Sequence, residues 1–389
     1  MTTAIEVHGA CGERFRAVER AFADNFSTHG EVGAALAVML DGAMVVDLWA
    51  GHADVSQARA WERDTIANLF STTKGMAAIC AHRLVDRGML DLDAPVATYW
   101  PEFAQAGKEQ LPVRYLLSHR AGLPAVRGVL PPGSLYDWDT MAATLAKQEP
   151  WWEPGTQHGY HALTYGWLVG EVVRRITGKS LGAYFREEVA EPLGLDFHIG
   201  LAAEHDARTA AMIPAPIPQP GEVSFLTEII SKPESMPFKA FVMSPDLMNP
   251  GLANTREWRA AEIPSANGHG TARALARVYG ALARGGELDG VRVLSQAAIE
   301  QAIVEQSRGP DAVLLLPTRF GLGFMLTMPE MPFGPNKRVF GHPGLGGSIG
   351  FADLDARVGF GYVMNKMILP PDLVDPRWPP LIDALYESL

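Results

Sequence analysis

Ser71-Thr72-Thr73-Lys74, directly before an apolar run with helical spacing from Gly75 to Arg87, is the most informative stretch of this sequence. Ser71 and Lys74 are one helical turn apart, so they share a face of the predicted helix. About one such Ser-x-x-Lys spacing is expected by chance in a chain of this length, and the alternative is that Ser71 is only an N-cap. A capping box, however, places Glu or Gln where this sequence has Lys74, whose charge faces the positive end of the helix dipole. This departure favours a functional site.

The chemistry of serine explains why a base would stand beside it. A serine hydroxyl is a poor nucleophile until a neighbouring group accepts its proton. An unperturbed lysine has a pKa of about 10.4 and is mostly protonated at pH 7, so the site must lower that pKa by burial or by a partner that shares the proton. Tyr160, in the turn-rich stretch Glu153 to His161, is the candidate partner, although a loop tyrosine alone is more often a packing residue. We predict Ser71, Lys74 and Tyr160 as catalytic residues.

A second serine competes for the role of nucleophile. Gly346-Gly347-Ser348-Ile349-Gly350 matches the Gly-x-Ser-x-Gly elbow of α/β-hydrolases, in which an acid and a histidine follow the serine. Only 41 residues follow Ser348, none of them is His, and the next residues predict a strand instead of a helix. The match is therefore interpreted as accidental. Gly344, Gly346 and Gly347 would still let the backbone approach a bound ligand closely.

Histidine and cysteine patterns predict no metal site. His158 and His161 have i, i+3 spacing, but no third ligand is in view. The two cysteines, Cys11 and Cys80, have no CxxC neighbour, so neither a disulfide framework nor a thiolate zinc site is expected. We predict that the protein requires no metal or organic cofactor.

Strand patterns occur near both ends of the chain. Ala34 to Leu40 and Ala43 to Trp49 flank Asp41-Gly42, which is a strong signal for a two-residue hairpin. The second group of predicted strands comprises Phe320 to Met328, Ser348 to Asp353 and Val358 to Met364. Helices are predicted outside these strands, over Ala10 to Asn25 and Leu381 to Leu389. This arrangement predicts an antiparallel sheet that is assembled from both chain ends and flanked by helices.

The middle of the chain is predicted to be mainly helical. Its predicted helices are Val113 to Ser118, Leu163 to Ile176 and Ala272 to Arg284, and its proline-rich stretches, Pro131-Pro132 and Pro214 to Pro220, are expected to be ordered surface loops. We therefore predict an α/β fold of the α+β type with two domains. Residues 1–95 and 295–389 form the sheet domain, residues 96–294 form a mainly helical domain with long loops, and the active site lies in the cleft between them.

Composition excludes several classes of protein. A hydrophobic fraction of 47% with 20% charged residues is typical of a folded globular chain. With 33 Lys and Arg against 44 Asp and Glu, the net charge of -11 would repel a phosphate backbone, so nucleic acid is excluded as a partner. No apolar run approaches the roughly 20 residues of a membrane span. Glu6, Glu13 and Glu19 stand where a secretory signal needs a basic start and an apolar run, so a cytoplasmic location is predicted.

Three motifs taken together resemble a known superfamily. Ser71-x-x-Lys74, Tyr160 and His342-Pro343-Gly344, in that order, are similar to the active-site motifs of penicillin-binding proteins and class C β-lactamases. Three further segments also resemble that superfamily, and they are Gly88 to Asp93, Leu116 to Leu123 and Gly341 to Asp353. The resemblance implies the serine β-lactamase fold, an antiparallel sheet with helices on both faces and a helical domain.

Two motifs depart from the class C pattern. Class C β-lactamases carry Tyr-x-Asn where this chain has Tyr160-His161-Ala162, and Lys-Thr-Gly where it has His342-Pro343-Gly344. Such changes are typical of family VIII carboxylesterases, which this chain most resembles. The resemblance therefore implies that the motif residues that bind the amide and carboxylate of a β-lactam in class C β-lactamases are replaced in this chain.

The resemblance implies a serine esterase that hydrolyses short-chain acyl esters, with weak β-lactam hydrolysis as an additional activity. Ser71 would form the acyl-enzyme, Lys74 and Tyr160 would share the general-base role, and the backbone N–H groups of Ser71 and Leu345 would hold the oxyanion. His342 and Gly344 would line the substrate site. The alternatives are a class C-like β-lactamase, a D-amino-acid peptidase and a non-catalytic ligand-binding homologue. The expected partner is a small-molecule ester, and the oligomeric state stays open.

Overall fold

A computed structural model of the chain describes residues 5–56, 58–216, 227, 229 and 231–389, so most of the predicted loop Pro214 to Pro220 lies outside the described residues. The longer strands are β1 Val7–Cys11, β2 Gly33–Leu40, β3 Ala43–Gly51, β9 Ser307–Pro310, β10 Pro317–Phe320, β12 Val339–Pro343, β13 Ile349–Asp353 and β14 Val358–Met364. The two-residue strands are β4 Ala67–Asn68, β5 Phe197–His198, β6 His269–Gly270, β7 Glu287–Leu288, β8 Val291–Arg292 and β11 Met325–Leu326.

The helices of the described residues lie mainly in the middle of the chain. The α-helices are α1 Arg16–Thr28, α2 Thr73–Asp86, α3 Val113–Leu117, α4 Trp138–Lys147, α5 Thr164–Thr177, α6 Leu181–Phe185, α7 Glu191–Leu193, α8 Met236–Phe241, α9 Arg256–Ala260, α10 Ala272–Ala283, α11 Gln296–Ala302 and α12 Trp378–Glu387. A π-helical turn, Arg186–Ala190, joins α6 to α7. Short 3₁₀ helices cover Glu13–Phe15, Val96–Thr98, Pro101–Phe103, Ser134–Tyr136, Ala203–Arg208, Pro245–Met248 and Leu252–Asn254. None of the helices in these described ranges is long and apolar enough to cross a membrane.

The main sheet has nine strands in the order β1-β3-β2-β14-β13-β12-β11-β10-β9. The β2–β3 hairpin turns at Asp41 and Gly42, whose φ angles of 50° and 86° are both positive, as a type I′ turn requires. β2 also pairs antiparallel with β14, from Ala34 opposite Met364 to Leu40 opposite Val358. Strands from the two chain ends therefore meet at the centre of the sheet, and the predicted antiparallel sheet is confirmed.

Helix α10 covers the centre of the sheet, although it falls within the range 96–294 that the sequence assigns to the helical domain. Small residues on both sides explain this packing. A Cβ added at Gly359 would lie 2.2 Å from the Gly280 nitrogen, and one added at Gly361 would lie 2.4 Å from the Ala272 oxygen. Backbone thus packs directly on backbone, and this helix belongs structurally with the sheet.

The first predicted helix, Ala10 to Asn25, is partly wrong. Val7–Cys11 is the edge strand β1, paired with β3, and α1 begins only at Arg16. The helical spacing of Phe15, Val18 and Phe22 is real, since all three are buried. The extended backbone of Gly12, however, separates the strand from the helix that follows.

The predicted strand Phe320 to Met328 is also wrong. It is two strands, β10 and β11, because the chain turns between Phe320 and Met325 at Gly323, whose φ is 89°. The last helix begins at Trp378, three residues before the predicted start. Pro379 and Pro380 fit there because the first helical turn needs no intrahelical N–H bond.

Candidate active site

Ser71 precedes α2, and its side chain does not cap that helix. The N-cap position is Thr72, and no side chain there accepts a hydrogen bond from the helix. The N-cap alternative for Ser71 is therefore wrong. Ser71 is half-buried, and its Oγ lies 3.1 Å from Lys74 Nζ. Phe70, just before it, has a φ of 42°, a conformation rare for a residue with a side chain and often found at functional sites.

Lys74 is completely buried, and burial lowers the pKa of its amine well below the usual value. Besides Ser71, its Nζ contacts two backbone oxygens, donating to Ala162 at 2.7 Å and to Ser265 at 2.9 Å. A neutral amine has two N–H groups and one lone pair. With both N–H groups bound to carbonyl oxygens, the lone pair is left for the Ser71 hydroxyl, which is the arrangement that a general base needs.

Tyr160 completes the group in the loop before α5. Its hydroxyl hydrogen-bonds to Ser71, and burial raises its pKa. Lys74 Nζ lies over its ring, 4.7 Å from the ring centroid. The structure therefore brings the three predicted catalytic residues into mutual contact.

Asp311 and His119 fix the loop that carries Tyr160, and neither was predicted as a site residue. The buried Asp311 carboxylate accepts the Tyr160 backbone N–H at 2.9 Å as well as those of Val313 and Leu314. The His119 ring packs against the Tyr160 ring at 5.0 Å between centroids. Asp311 and Tyr160 are about 150 residues apart in sequence, and no local pattern relates them.

His342 lies at the end of β12 beside Tyr160, with 5.9 Å between ring centroids. Its Nδ1 is 2.7 Å from the Pro343 oxygen and donates to it, so Nε2 carries the lone pair; among the described residues, Nε2 has no partner. Burial, with a smaller effect from Lys74, lowers the pKa of His342 to about 3. The imidazole is therefore neutral at pH 7.

The chain after Pro343 forms a turn in which Gly347 N–H donates to Gly344 oxygen at 3.1 Å. Gly346 has a φ of 88°, the value that the third position of a type II turn requires. A Cβ at Gly344 would lie 2.2 Å from Leu69 oxygen, so only glycine lets the turn approach the segment before Ser71. Within the described part of the chain, the backbone N–H groups of Ser71 and Leu345 have no acceptor. Both stay available for a ligand oxygen.

Ser348 is fully buried, which excludes it as a surface-accessible nucleophile. Its Oγ donates to Leu69 oxygen at 2.8 Å and lies 3.0 Å from Thr72 Oγ1. These bonds join β13 to the start of α2. The competing serine therefore links the two segments that carry the free N–H groups.

His158 and His161 also have structural partners. His161 Nδ1 donates to Gly159 oxygen, and its Nε2 accepts the N–H of Leu123. His158 Nε2 lies 2.9 Å from Thr318 Oγ1. Among the described residues, no group of three or more His, Cys, Asp or Glu side chains is placed to hold a metal ion.

A cleft opens onto Ser71, Tyr160, His342 and the turn over 344–347. The rest of its lining is mostly apolar and comes from separate segments, namely Phe241, Leu314, Met325, Met331, Ile368, Leu369, Pro370, Leu373 and Trp378, together with Asp375. These residues were not predicted, because apolar side chains at scattered positions look like ordinary core residues in a sequence.

Comparison with known proteins gives the family. Residues 15–379 match the family model described as Beta-lactamase. The chain belongs to the beta-lactamase family. The esterase/beta-lactamase LipL of Mycobacterium tuberculosis is 42% identical over 376 residues, covering 95% of this chain and 85% of that protein.

Two solved structures of the family support the fold. The crystal structure of a family VIII carboxylesterase is 45% identical, with a TM-score of 0.91 over 99% of this chain and 100% of the other. A penicillin-binding protein homologue from Caulobacter crescentus is 44% identical, with a TM-score of 0.89 over 99% and 100%. The predicted fold class, the resemblance to family VIII carboxylesterases and the assignment as a serine-hydrolase enzyme are confirmed.

Proposed function

We propose that this protein is a carboxylesterase that hydrolyses short-chain acyl esters through an acyl-enzyme on Ser71. The observation that carries the proposal is the 3.1 Å contact between Ser71 Oγ and a buried Lys74 amine whose other hydrogen bonds go to two carbonyl oxygens. The names of the esterase relatives support the same activity.

In the acylation step, Ser71 Oγ attacks the ester carbonyl carbon while its proton moves to Lys74 Nζ. The carbonyl oxygen becomes an oxyanion that the backbone N–H groups of Ser71 and Leu345 stabilise. When the tetrahedral intermediate collapses, the C–O bond to the alcohol breaks, and the Lys74 and Tyr160 pair returns the proton to the leaving oxygen. A water molecule then repeats the sequence against the acyl-enzyme and releases the acid.

The cleft favours neutral esters over β-lactams, which carry a carboxylate. Among the described residues that line it, none is Lys or Arg, and the carboxylate of Asp375 is paired with Arg377, so the lining offers no free positive charge to a substrate carboxylate. His342, at the position of the Lys of Lys-Thr-Gly, is neutral and buried. Ala162, at the position of the motif asparagine, contributes only a backbone oxygen, and this oxygen is engaged by Lys74. The apolar remainder of the lining suits an acyl chain.

The position of the cleft supports the two-domain interpretation as a further proposal. Ser71 and His342 come from the ranges 1–95 and 295–389, whereas Tyr160 and Phe241 come from the range 96–294. We infer that substrate binds between these two parts of the chain, with α10 as the exception that packs on the sheet.

A panel of p-nitrophenyl esters of increasing acyl length, measured beside nitrocefin and benzylpenicillin, tests the proposed substrate class. We expect p-nitrophenyl butyrate to have the higher kcat/KM, and Ser71→Ala to be inactive on every substrate. A kcat/KM for nitrocefin or benzylpenicillin above that for the butyrate ester would show that the esterase proposal is wrong.

A further inference from the structure

A buried ion-pair network lies behind the turn over 344–347. Arg377 is completely buried, and its guanidinium donates to Glu31 Oε2 at 2.7 Å and to both oxygens of Asp375 at 2.8 and 2.6 Å. The Tyr362 hydroxyl donates to the same Glu31 oxygen at 2.5 Å. The network thus joins the segment before β2, strand β14 and the start of α12.

The same guanidinium also holds the backbone of the turn. Arg377 Nη2 donates to Gly346 oxygen at 2.5 Å, and this oxygen accepts a second bond from Ile368 N–H at 3.1 Å. Trp378 Nε1 donates to the next carbonyl, that of Gly347, at 2.7 Å. The carbonyl oxygens of the two residues after Leu345 are therefore held by hydrogen bonds from the adjacent side chains of Arg377 and Trp378.

The space around the turn leaves little freedom for another arrangement. A Cβ added at Gly347 would lie 2.0 Å from Arg377 Nη2 and 2.6 Å from Asp375 Oδ2. The guanidinium and the carboxylate therefore pack directly against the backbone of Gly347. At the other end of the turn, Gly344 packs against Leu69 oxygen. Leu345 lies between these two fixed ends, and its N–H has no acceptor among the described residues.

We propose that Arg377 is a positioning residue for catalysis, which directs the Leu345 N–H at the oxyanion by holding the Gly346 carbonyl. This inference rests on the proposed function, in which that N–H stabilises the tetrahedral intermediate. A donor that is fixed in advance stabilises charge without reorganising during the reaction, and small displacements of such a donor are costly to the rate. Buried ion pairs are seldom better for stability than apolar packing, which is consistent with a role in geometry here.

Two substitutions test the role of Arg377 and its neighbour. Arg377→Lys keeps the positive charge but replaces the forked guanidinium, which bonds Glu31 through Nη1 and the Gly346 oxygen through Nη2, by a single nitrogen. Trp378→Phe removes the N–H to Gly347 together with part of the indole ring that lines the cleft, and it provides a second test if the lysine variant fails to fold. Glu171→Gln is the control, because Glu171 is another fully buried carboxylate with two arginine partners, and it does not line the cleft.

The measurements are kcat and KM for p-nitrophenyl butyrate and the inhibition constant of n-butylboronic acid, with folding checked by circular dichroism. The boron atom accepts Ser71 Oγ and becomes tetrahedral, so one of its oxygens occupies the oxyanion position. Complete loss of one oxyanion donor costs about 100- to 1000-fold in kcat. We expect at least about a tenfold loss of kcat in both variants, KM within about threefold and a parallel rise in the boronate constant, whereas the control loses only thermal stability.

The outcomes separate this inference from the function on which it rests. A folded Arg377→Lys enzyme with unchanged kcat and unchanged boronate inhibition would overturn the role of Arg377, and the same result for Trp378→Phe would overturn the view that hydrogen bonds from this segment position the turn. A loss of kcat without a weaker boronate would also overturn it, since the oxyanion site would then be intact. A wild-type protein that neither hydrolyses esters nor binds the boronate would instead contradict the proposed function.

Discussion

Combining Lys74→Met with Tyr160→Phe tests whether the two side chains act as one base. Methionine fills most of the lysine volume but carries no amine, and phenylalanine keeps the ring while losing the hydroxyl that contacts Ser71. The stability cost of Tyr160→Phe is about 1 kcal/mol for one hydrogen bond. Lys74→Met leaves the backbone oxygens of Ala162 and Ser265 without their hydrogen-bond donor, which costs about 1–3 kcal/mol in the free energy of unfolding. Part of this cost is offset because methionine, unlike lysine, brings no amine into the interior. Both variants should therefore fold.

The expected loss of activity follows from proton transfer. General-base catalysis contributes about 10²- to 10⁴-fold, so each single variant should lose about 10³-fold in kcat, or about 4 kcal/mol, with little change in KM. Two independent groups would give about 10⁶-fold in the double variant. Because Lys74, Tyr160 and Ser71 are in mutual contact, we expect the double variant to stay near 10³-fold, which is a coupling energy of about 4 kcal/mol.

Steady-state hydrolysis of p-nitrophenyl butyrate gives the kcat values, and a burst of p-nitrophenol shows whether acylation or deacylation limits them. Circular dichroism confirms that the variants are folded. A double variant whose loss equals the product of the two single losses would refute the shared base, and so would a large rise in KM as the main effect of either single change.

Three further predictions concern other parts of the site. A fluorophosphonate probe should label Ser71, as located by peptide mass spectrometry; a label on Ser348 would revive the α/β-hydrolase alternative. Ser348→Ala should keep ester hydrolysis within about tenfold of wild type because its buried hydroxyl takes no part in proton transfer, and the lost hydrogen bonds, about 1–3 kcal/mol, lower the free energy of unfolding instead. Gly344→Ala should lower kcat at least about tenfold, because the added Cβ would displace the turn. Gly128→Ala is the control, since its added Cβ meets nothing within 4 Å, and it should leave kcat unchanged. Equal effects of the two substitutions on kcat would contradict the packing argument. The free energy of unfolding should fall as the pH drops from about 6.5 towards 3, because buried histidines stay neutral in the folded chain and become protonated in the unfolded chain over this range. Tm values that are constant between pH 7 and 5 would refute this effect. The histidines concerned have pKa values lowered to about 3 by burial, and they are His161, His269 and His342.

Short-range patterns allowed much of the site to be predicted. Ser71 and Lys74 share one helical turn, and the structure places both beside Tyr160 and His342, as the order of the motifs suggests. Their catalytic roles stay predictions until activity is measured. The β2–β3 hairpin and α5 were predictable for the same reason, since turn chemistry and helical periodicity act over a few residues.

The parts that were missed depend on long-range contacts or on backbone atoms. Lys74 is oriented by the carbonyl oxygens of Ala162 and Ser265, which any residue type could supply, so no sequence signal marks them. Asp311 and Arg377 look like ordinary charged residues until the fold buries them. The incorrect helix start at Ala10 has a related cause, because β1 forms only through its pairing with β3.

The pairing of β2 with β14 determines when the sheet can form during synthesis. The paired residues are more than 300 positions apart, which at 5–20 residues per second is an interval of about 15–60 s on the ribosome. Throughout this interval one edge of the apolar strand β2 has no partner, and such an edge invites aggregation. Fragments that end before β14 should therefore accumulate as insoluble protein, and slower growth or additional chaperone capacity should raise the yield of the folded enzyme.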